Sequence, residues 1–345
     1  MTIAINGRFV TQAMTGVQRF ASEIVAALGA IAPGKIVVYT PSGTNAPATP
    51  GVEYRSVGRR AGHLWEQSDL PRALRADGAP PLVSLCNSGP LFYQPHYYTL
   101  HDITFRRYPK GFTRSFRFAY NRLTPALLHR ANAVFTVSEF SADEISHEFG
   151  LLRDSVSVIY NAVAPTFLDQ ASSRAEDLID PFFLAIGSIG SNKNLETLLG
   201  GYAAYRAGGG TARLVIVGPA AYAADAVPDG ASFVGRIADD ELSRRYAGAI
   251  AYVSASLYEG FSIPLIEAQA SGCPVIASRI PVHEEVLGQS ASLFSPRSTS
   301  ELAALLRIAS FGGMRDAASA GYANAARFSW EASARALLDA VQERL

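Results

Sequence analysis

Ser256–Ser278 reads SLYEGFSIPLIEAQASGCPVIAS. A short apolar run, Ala249–Val253, leads into it and reads as a buried strand. A glycine-bearing loop follows, and Pro264 falls where a first helical turn accepts proline, because the missing N–H has no partner there anyway. Pro274–Ala277 is then a second apolar run bounded by turn residues. Strand, loop, helix, strand is a βαβ pattern, and the same alternation continues in both directions. Toward the N-terminus lie candidate strands Ser232–Val234, Arg213–Val217 and Phe182–Ile186. An earlier block holds Thr2–Ile5, Ile36–Tyr39, Leu82–Leu85, Tyr97–Leu100 and Ala133–Val137, with Gly16–Leu28 as a helix carrying Val17, Phe20, Ile24, Ala27 and Leu28 on one face. Short apolar runs of this kind suit a parallel sheet covered on both sides. Two such blocks predict an α/β chain of two Rossmann-like doubly wound domains, with ligands at the carboxyl ends of the strands. The polar, proline-flanked stretch Pro165–Pro181 reads as the linker. The expected domains are residues 1–165 and 166–329, with a final helix, 330–345, capped by Ser329 and returning to the first.

Composition agrees with this class. At 345 residues the chain is long enough for two cores, and 48% hydrophobic against 17% charged residues excludes a disordered or fibrous protein. No apolar run approaches the ~20 residues of a membrane span. MTIAINGRFV reads as a strand rather than a signal peptide, so a soluble cytoplasmic protein is expected. Cys86 and Cys273 stand far apart, which argues against a disulfide scaffold or a structural zinc site. The net charge is zero but uneven: 16 Lys and Arg against 11 Asp and Glu over residues 1–165, and 14 against 19 beyond.

Chemistry concentrates in the opening stretch. Glu259 lies in the loop before the Pro264 helix and Glu267 lies one to two turns inside it. The N–H groups of Phe261 to Leu265 are expected to face outward at the positive end of the helix dipole, a ready site for phosphate. Two carboxylates on either side of a phosphate site suit sugar hydroxyls better than acid–base catalysis. The full string resembles the signature of the retaining glycosyltransferases of family 4, which have the GT-B fold, two Rossmann-like domains facing each other across a cleft. The resemblance implies that Glu259 contacts donor-sugar hydroxyls, that Glu267 contacts the nucleotide ribose, and that the Ser262 and Ile263 amides approach the diphosphate. Many members have glycine where this chain has Ser262.

Further landmarks carry the same resemblance. In Phe182–Leu199, FFLAIGSIGSNKNLETLL, Lys193 stands before a helix with Asn194 as the expected N-cap. It is one of three lysines in the chain, and the family places a phosphate-binding lysine here, where an ammonium stabilises the departing diphosphate. Asn192 and Ser188 join the donor site by position; many members have arginine at Ser188. Gly16 and Val17 match the family's first glycine loop, with Gln18 and Arg19 as neighbours. His101, after its strand, is assigned to the donor site with Asp102 as a possible orienting group; HDITFRRYP resembles a subgroup that includes bacterial mannosyltransferases of polysaccharide assembly. Ser138 and Ser141 are both candidate N-caps, Ser141 with Glu144 forming a capping box, and Ser138 is also assigned to the donor phosphate. Arg236 and Ile237 match the loop that holds the base. Asp239–Glu241 is read as a helix start rather than a metal site.

Phe105–Arg130 holds seven cations, no acid and six aromatic residues. Without a nucleic-acid-binding fold around it, this segment is read as a contact for an anionic membrane, with no nucleic acid partner. The resemblance therefore implies a metal-independent, retaining hexosyltransferase without a cofactor, with residues 1–165 as the acceptor-side domain and 166–329 as the nucleotide-sugar-binding domain. Its donor is a nucleotide sugar, GDP-mannose favoured, and its acceptor a saccharide on polyprenyl diphosphate at the inner membrane face. The alternatives are a UDP-sugar donor or a catalytically silent nucleotide-sugar-binding adaptor.

Overall fold

The structure, a computed structural model, describes residues 2–168, 180–187, 190–219, 227–314 and 317–344. Two compact units emerge. The first comprises Met1–Arg107, Phe112–Asn161 and Ser329–Leu345, the second Tyr108–Gly111 and Ala162–Phe328. The change of unit after the first block falls at Asn161, four residues before the sequence-based boundary, and the middle of the expected linker lies outside the described residues.

In the first unit, the described strands are β1 (Ile3–Asn6), β2 (Ile36–Pro41), β3 (Val52–Val57), β4 (Leu82–Ser84), β5 (His96–Thr99), β6 (Ala133–Thr136) and β7 (Val156–Val158). They pair in the order β3-β2-β1-β4-β5-β6-β7. In the second unit, β8 (Phe182–Ile186), β9 (Arg213–Val217), β10 (Ala231–Phe233), β11 (Ala251–Ser254), β12 (Val275–Ser278) and β13 (Ser292–Phe294) pair in the order β10-β9-β8-β11-β12-β13. Every pairing is parallel. Both are doubly wound Rossmann-like sheets, and each reverses direction between its first and fourth strands, so a crevice opens there at the carboxyl strand ends.

The central strands are apolar because helices cover both faces. Phe183, Leu214, Ile216, Val253 and Ile276 are all buried in the second core, each such side chain contributing roughly 1.5–3 kcal/mol. The sequence reading misses β3, β7 and β13. All three are edge strands with partly exposed residues, so they lack the continuous apolar run that marked the others. The first helix runs Gly16–Ile31, and its buried face includes Ala21 and Val25, while Val17 is only half-buried. The last helix, Trp330–Gln342, packs within the first unit: Trp330 meets Phe20 edge-on at 6.0 Å, the Ser333 hydroxyl donates to the Tyr160 carbonyl at 2.7 Å, and the Tyr97 hydroxyl donates to Val341 at 3.0 Å.

Candidate functional site

The second unit brings Asn192, Lys193 and Glu259 together at the reversal point. A 3-10 turn, Ser191–Lys193, follows β8, and the loop Ala255–Ser262 follows β11. Gly218 makes the first of these possible. Its φ is +136°, and a Cβ there would lie 1.9 Å from the Gly187 carbonyl oxygen, so a side chain would push the loop after β8 away. Two bonds then tie the loops together: Asn192 Nδ2 donates to the Tyr258 carbonyl at 3.1 Å, and the Leu257 N–H donates to the Asn192 carbonyl at 2.7 Å.

On this splint Lys193 Nζ meets Glu259 Oε1 at 2.7 Å. The Ser256 hydroxyl donates to the same oxygen, also at 2.7 Å. The lysine side chain is 25% exposed and the glutamate 13%, so the pair is screened from bulk water yet still open to a ligand. Burial pushes the Glu259 carboxyl up, but Lys193 and Ser256 together outweigh it and hold the group ionised, below its ordinary range. Glu267 is buried at the fifth position of the Ile263–Ala270 helix. Burial, and then the charges of Glu259 and Glu267, push the Tyr252 phenol upward.

The helix entry is strained. Ser262 sits at φ 74° and ψ 68°, the left-handed region that glycine adopts freely and serine does not. The Ser262 side chain does not cap the helix. The expectation of free amides from Phe261 to Leu265 needs correction: Pro264 has none and the Leu265 N–H donates to the Ser262 carbonyl at 3.1 Å. Ser262 and Ile263 keep theirs unbonded among the described residues. A second correction concerns Asn194. It stands at the N-cap position in the left-handed region, but its side chain does not cap; Nδ2 donates to the Ala255 and Pro296 carbonyls at 3.0 and 2.7 Å. Arg236 is exposed and Ile237 half-buried in the loop after β10, which is anchored by the Gly218 N–H donating to Gly235. Ser188 lies outside the described residues.

Sequence reasoning missed Ser256 and His283. The hydroxyl three residues before Glu259 was the only signal for the first. The second is brought near by β12: His283 is fully buried, its Nδ1 donates to the Ser278 carbonyl at 2.9 Å, and burial holds it at about 4, hence neutral, in the field of Glu259.

The first unit treats its predicted residues differently. His101 is buried, Nε2 donates to the Leu85 carbonyl at 2.9 Å, and burial lowers it to about 4. Its ring meets Phe20 edge-on at 4.8 Å. Asp102 does not orient it; Asp102 Oδ1 accepts the Thr104 N–H at 2.7 Å and closes a turn. Ser138, fully buried, caps the Glu139–Phe149 helix by accepting the Ser141 N–H at 3.0 Å. The Ser141–Glu144 capping box does not form, since Ser138 is the N-cap and Ser141 lies inside the helix; Glu144 pairs with Arg107 at 2.7 Å. Gly16 opens its helix and is exposed, and the Val17 carbonyl accepts the Cys86 thiol at 3.6 Å. Gln18 turns back onto the loop, bonded to Thr15 and, at 3.0 Å, to Gln12.

Two family models divide the chain between them. "Glycosyltransferase Family 4" matches residues 14–167 and "Glycosyl transferases group 1" matches residues 180–309. The chain belongs to the family 4-like glycosyltransferases. Among relatives, the O-antigen chain mannosyltransferase RfbU of Salmonella typhimurium is 32% identical over 207 residues, covering 57% of this chain and 56% of its own length. The O-antigen chain mannosyltransferase B of Escherichia coli is 27% identical over 270 residues, 70% of each chain. The chain thus matches a little over half of the first relative's length. Among solved structures, Anabaena HepE in complex with UDP and glucose superposes with a TM-score of 0.70 at 18% identity, over 99% of both chains. That likeness extends the GT-B fold to this family 4-like glycosyltransferase.

Proposed function

We propose that the protein transfers a hexosyl group, mannose from GDP-mannose, with retention of configuration, to a saccharide acceptor in cell-surface polysaccharide synthesis. The Lys193–Glu259 pair at the β8/β11 reversal carries this reading. Its cation and the unbonded Ser262 and Ile263 amides converge on a helix N-terminus, a combination that suits a diphosphate, while the ionised Glu259 suits sugar hydroxyls. Two O-antigen mannosyltransferases among the relatives support mannose. HepE, solved with UDP and glucose, supports a second donor reading, a UDP-sugar.

In the proposed reaction the anomeric C1–O bond to the diphosphate breaks and a C1–O bond to the acceptor hydroxyl forms on the same face. The acceptor proton goes to the departing phosphate oxygen, so no carboxylate need act as base. Charge building on the leaving diphosphate is stabilised by Lys193 and the helix amides, without a metal or cofactor. Glu267 contacts the ribose in this scheme, Arg236 and Ile237 flank the base, and Asn192 holds the loop. By resemblance, Gly16, Val17, Ser138, Ser188 and His101 are proposed as further donor-contacting residues.

The acceptor is proposed to be carried on polyprenyl diphosphate, with the protein peripheral at the inner membrane face. No described helix is long and apolar enough to cross a membrane. The basic segment supports contact with anionic lipid less fully than its sequence suggested. Arg106 and Arg107 pair with Glu148 and Glu144 at 2.6 and 2.7 Å, acids supplied by the Glu139–Phe149 helix. Phe118, 61% exposed with Arg122 over its ring, remains on the surface.

A melting experiment with GDP-mannose and UDP-glucose tests the donor. A ligand at 100 times its dissociation constant contributes about 2.7 kcal/mol, a shift on the order of 5 °C. A shift with GDP-mannose alone is expected; none with either sugar nucleotide overturns the proposal. Product NMR then reads the anomeric configuration, and inversion would refute retention.

A further inference from the structure

A chain of buried polar side chains runs from Glu259 into the core of the second unit. β11 ends at Ser254 and β12 at Ser278, and Ser254, Ser256, Ser278 and His283 are all buried. The Ser256 hydroxyl donates to Glu259 Oε1 at 2.7 Å, and the Ser254 hydroxyl lies 3.5 Å from that of Ser256. The Ser256 carbonyl in turn accepts the Ser278 hydroxyl. His283, in the first turn of the Pro281–Leu287 helix, closes the chain. Its Nδ1 donates to the Ser278 carbonyl at 2.9 Å and lies 3.3 Å from the Ser278 hydroxyl oxygen.

An imidazole is an unfavourable group for this place. It is fully buried, and its Nε2 has no partner among the described residues. A carbonyl can only accept, so the proton sits on Nδ1 and Nε2 is a buried lone pair; an acceptor left without a donor in the interior costs free energy. A leucine would fill similar space without that cost. Burial also holds the ring neutral, at about 4, so it adds no second cation in the field of Lys193. What histidine supplies and leucine lacks is the N–H on the Ser278 carbonyl. That bond fixes the end of β12, from which the Ser278 hydroxyl holds the Ser256 carbonyl and so sets where the Ser256 hydroxyl points. Ser256 and Lys193 both bond Glu259 Oε1, so the aim of the carboxylate depends on each of them.

We propose that Ser278 and His283 are positioning residues for the transfer, which lock the Ser256 loop to the end of β12 and thereby keep Glu259 aimed at the donor sugar. This rests on the proposed transfer for what Glu259 does, but not for how it is held. When the Lys193 ammonium turns to the departing diphosphate, Glu259 gives up that bond, and the Ser256 hydroxyl is the contact that keeps the carboxylate in place. A group held this way acts on turnover, because a misplacement of about 1 Å can cost ~10²-fold in rate. Neither Ser278 nor His283 touches the sugar nucleotide in this scheme, since both are fully buried and have no surface to offer a ligand.

NMR of the full chain carrying isotope-labelled lysine tests the positioning without turnover. The chain has three lysines, Lys35, Lys110 and Lys193, so the side-chain signal of Lys193 is assigned by its loss in Lys193→Arg. Glu259→Gln marks where that signal lies once the ion pair is gone. In His283→Leu and in Ser278→Ala the signal is expected to move toward the same place. In His283→Asn, whose side-chain N–H can replace Nδ1 on the Ser278 carbonyl, it should stay with the parent. In steady-state assays His283→Leu and Ser278→Ala should each lower kcat by roughly 10–100-fold with donor KM within about threefold, and His283→Asn should recover kcat to within about threefold of the parent. The melting point of His283→Leu should lie within about 3 °C of the parent's, because the lost bond and the removed lone pair offset each other; a role in stability alone predicts a lower melting point with kcat unchanged. An unmoved Lys193 signal in either folded variant overturns the positioning, even where the parent transfers sugar. Unchanged kcat in folded His283→Leu and Ser278→Ala made from an active parent overturns it equally. A parent that transfers nothing refutes the proposed function instead, and the lysine spectra then decide by themselves how Glu259 is held.

Discussion

The reversal point between β8 and β11 and the one between β1 and β4 each hold a carboxylate facing a cation, in the same topological position. Their surroundings differ. Glu259 meets Lys193 and Ser256 and stays 13% exposed, beside a lysine 25% exposed. Glu66 is fully buried and takes Asn6, Arg8, Ser88 and His63, with Arg8 only 9% exposed. A pair with few partners and an open side can exchange its internal bond for one to a ligand. A pair saturated from four directions cannot, and serves to fix what rests on it. One doubly wound frame thus yields an open ion pair in one unit and a rigid support in the other.

Breaking the open pair should affect chemistry and spare the fold. Glu259→Ala or Lys193→Ala is expected to lower kcat by about 10²–10³-fold or more, with the unfolding midpoint little changed, as steady-state kinetics and denaturant titration would read. Near-normal turnover in both would remove the assignment. Breaking the saturated pair should do the reverse. Arg8→Leu leaves Glu66 charged in the interior, and a loss of roughly 3–5 kcal/mol is expected in urea unfolding.

Acid sharpens the same contrast. Burial holds His96 and His101 in the first unit, and His283 in the second, at about 4. Their folded values lie below the unfolded value near 6.5. The stability they contribute is therefore complete above about pH 6.5 and is lost as pH falls toward 4, because only the unfolded chain takes up the protons. Each histidine adds up to ~1.4 kcal/mol per pH unit, so the first unit should weaken about twice as steeply. Both tryptophans, Trp65 and Trp330, lie in the first unit, so their fluorescence should report a transition at higher pH than circular dichroism of the whole chain. Coincident transitions would contradict this. The smallest effect is at the helix entry. Ser262→Gly relieves the left-handed serine but loosens the unfolded chain, leaving a gain of about 0.5–1 kcal/mol, measurable by thermal unfolding.

Much of this arrangement was legible from residues alone. Apolar runs flanked by turn residues gave the central strands of both sheets, because burial on both faces leaves polar residues no place. The edge strands β3, β7 and β13 escaped, since a half-exposed strand tolerates Glu53, Arg55 and Ser157 and resembles a loop. Spacing in the stretch around Glu259 marked the loop and helix entry of the second unit's candidate site, because both are local in sequence. Other features depended on distant parts of the chain. Glu144 and Glu148 neutralise cations some 40 residues earlier, and His101, exposed by its letter, is buried against Phe20.

The sequence by itself determined the parallel sheets, the helix entry at Pro264 and the place of Lys193 and Glu259, since each follows from periodicity and short-range backbone preference. Only the tertiary structure decided that these two side chains bond each other, that Ser262 is held in a conformation serine avoids, and that Glu66 gathers four partners. Hydrogen bonding and desolvation act between atoms that the fold brings together from 60 or more positions apart, as from Lys193 to Glu259 and from Asn6 to Glu66, and no local pattern of letters records that distance.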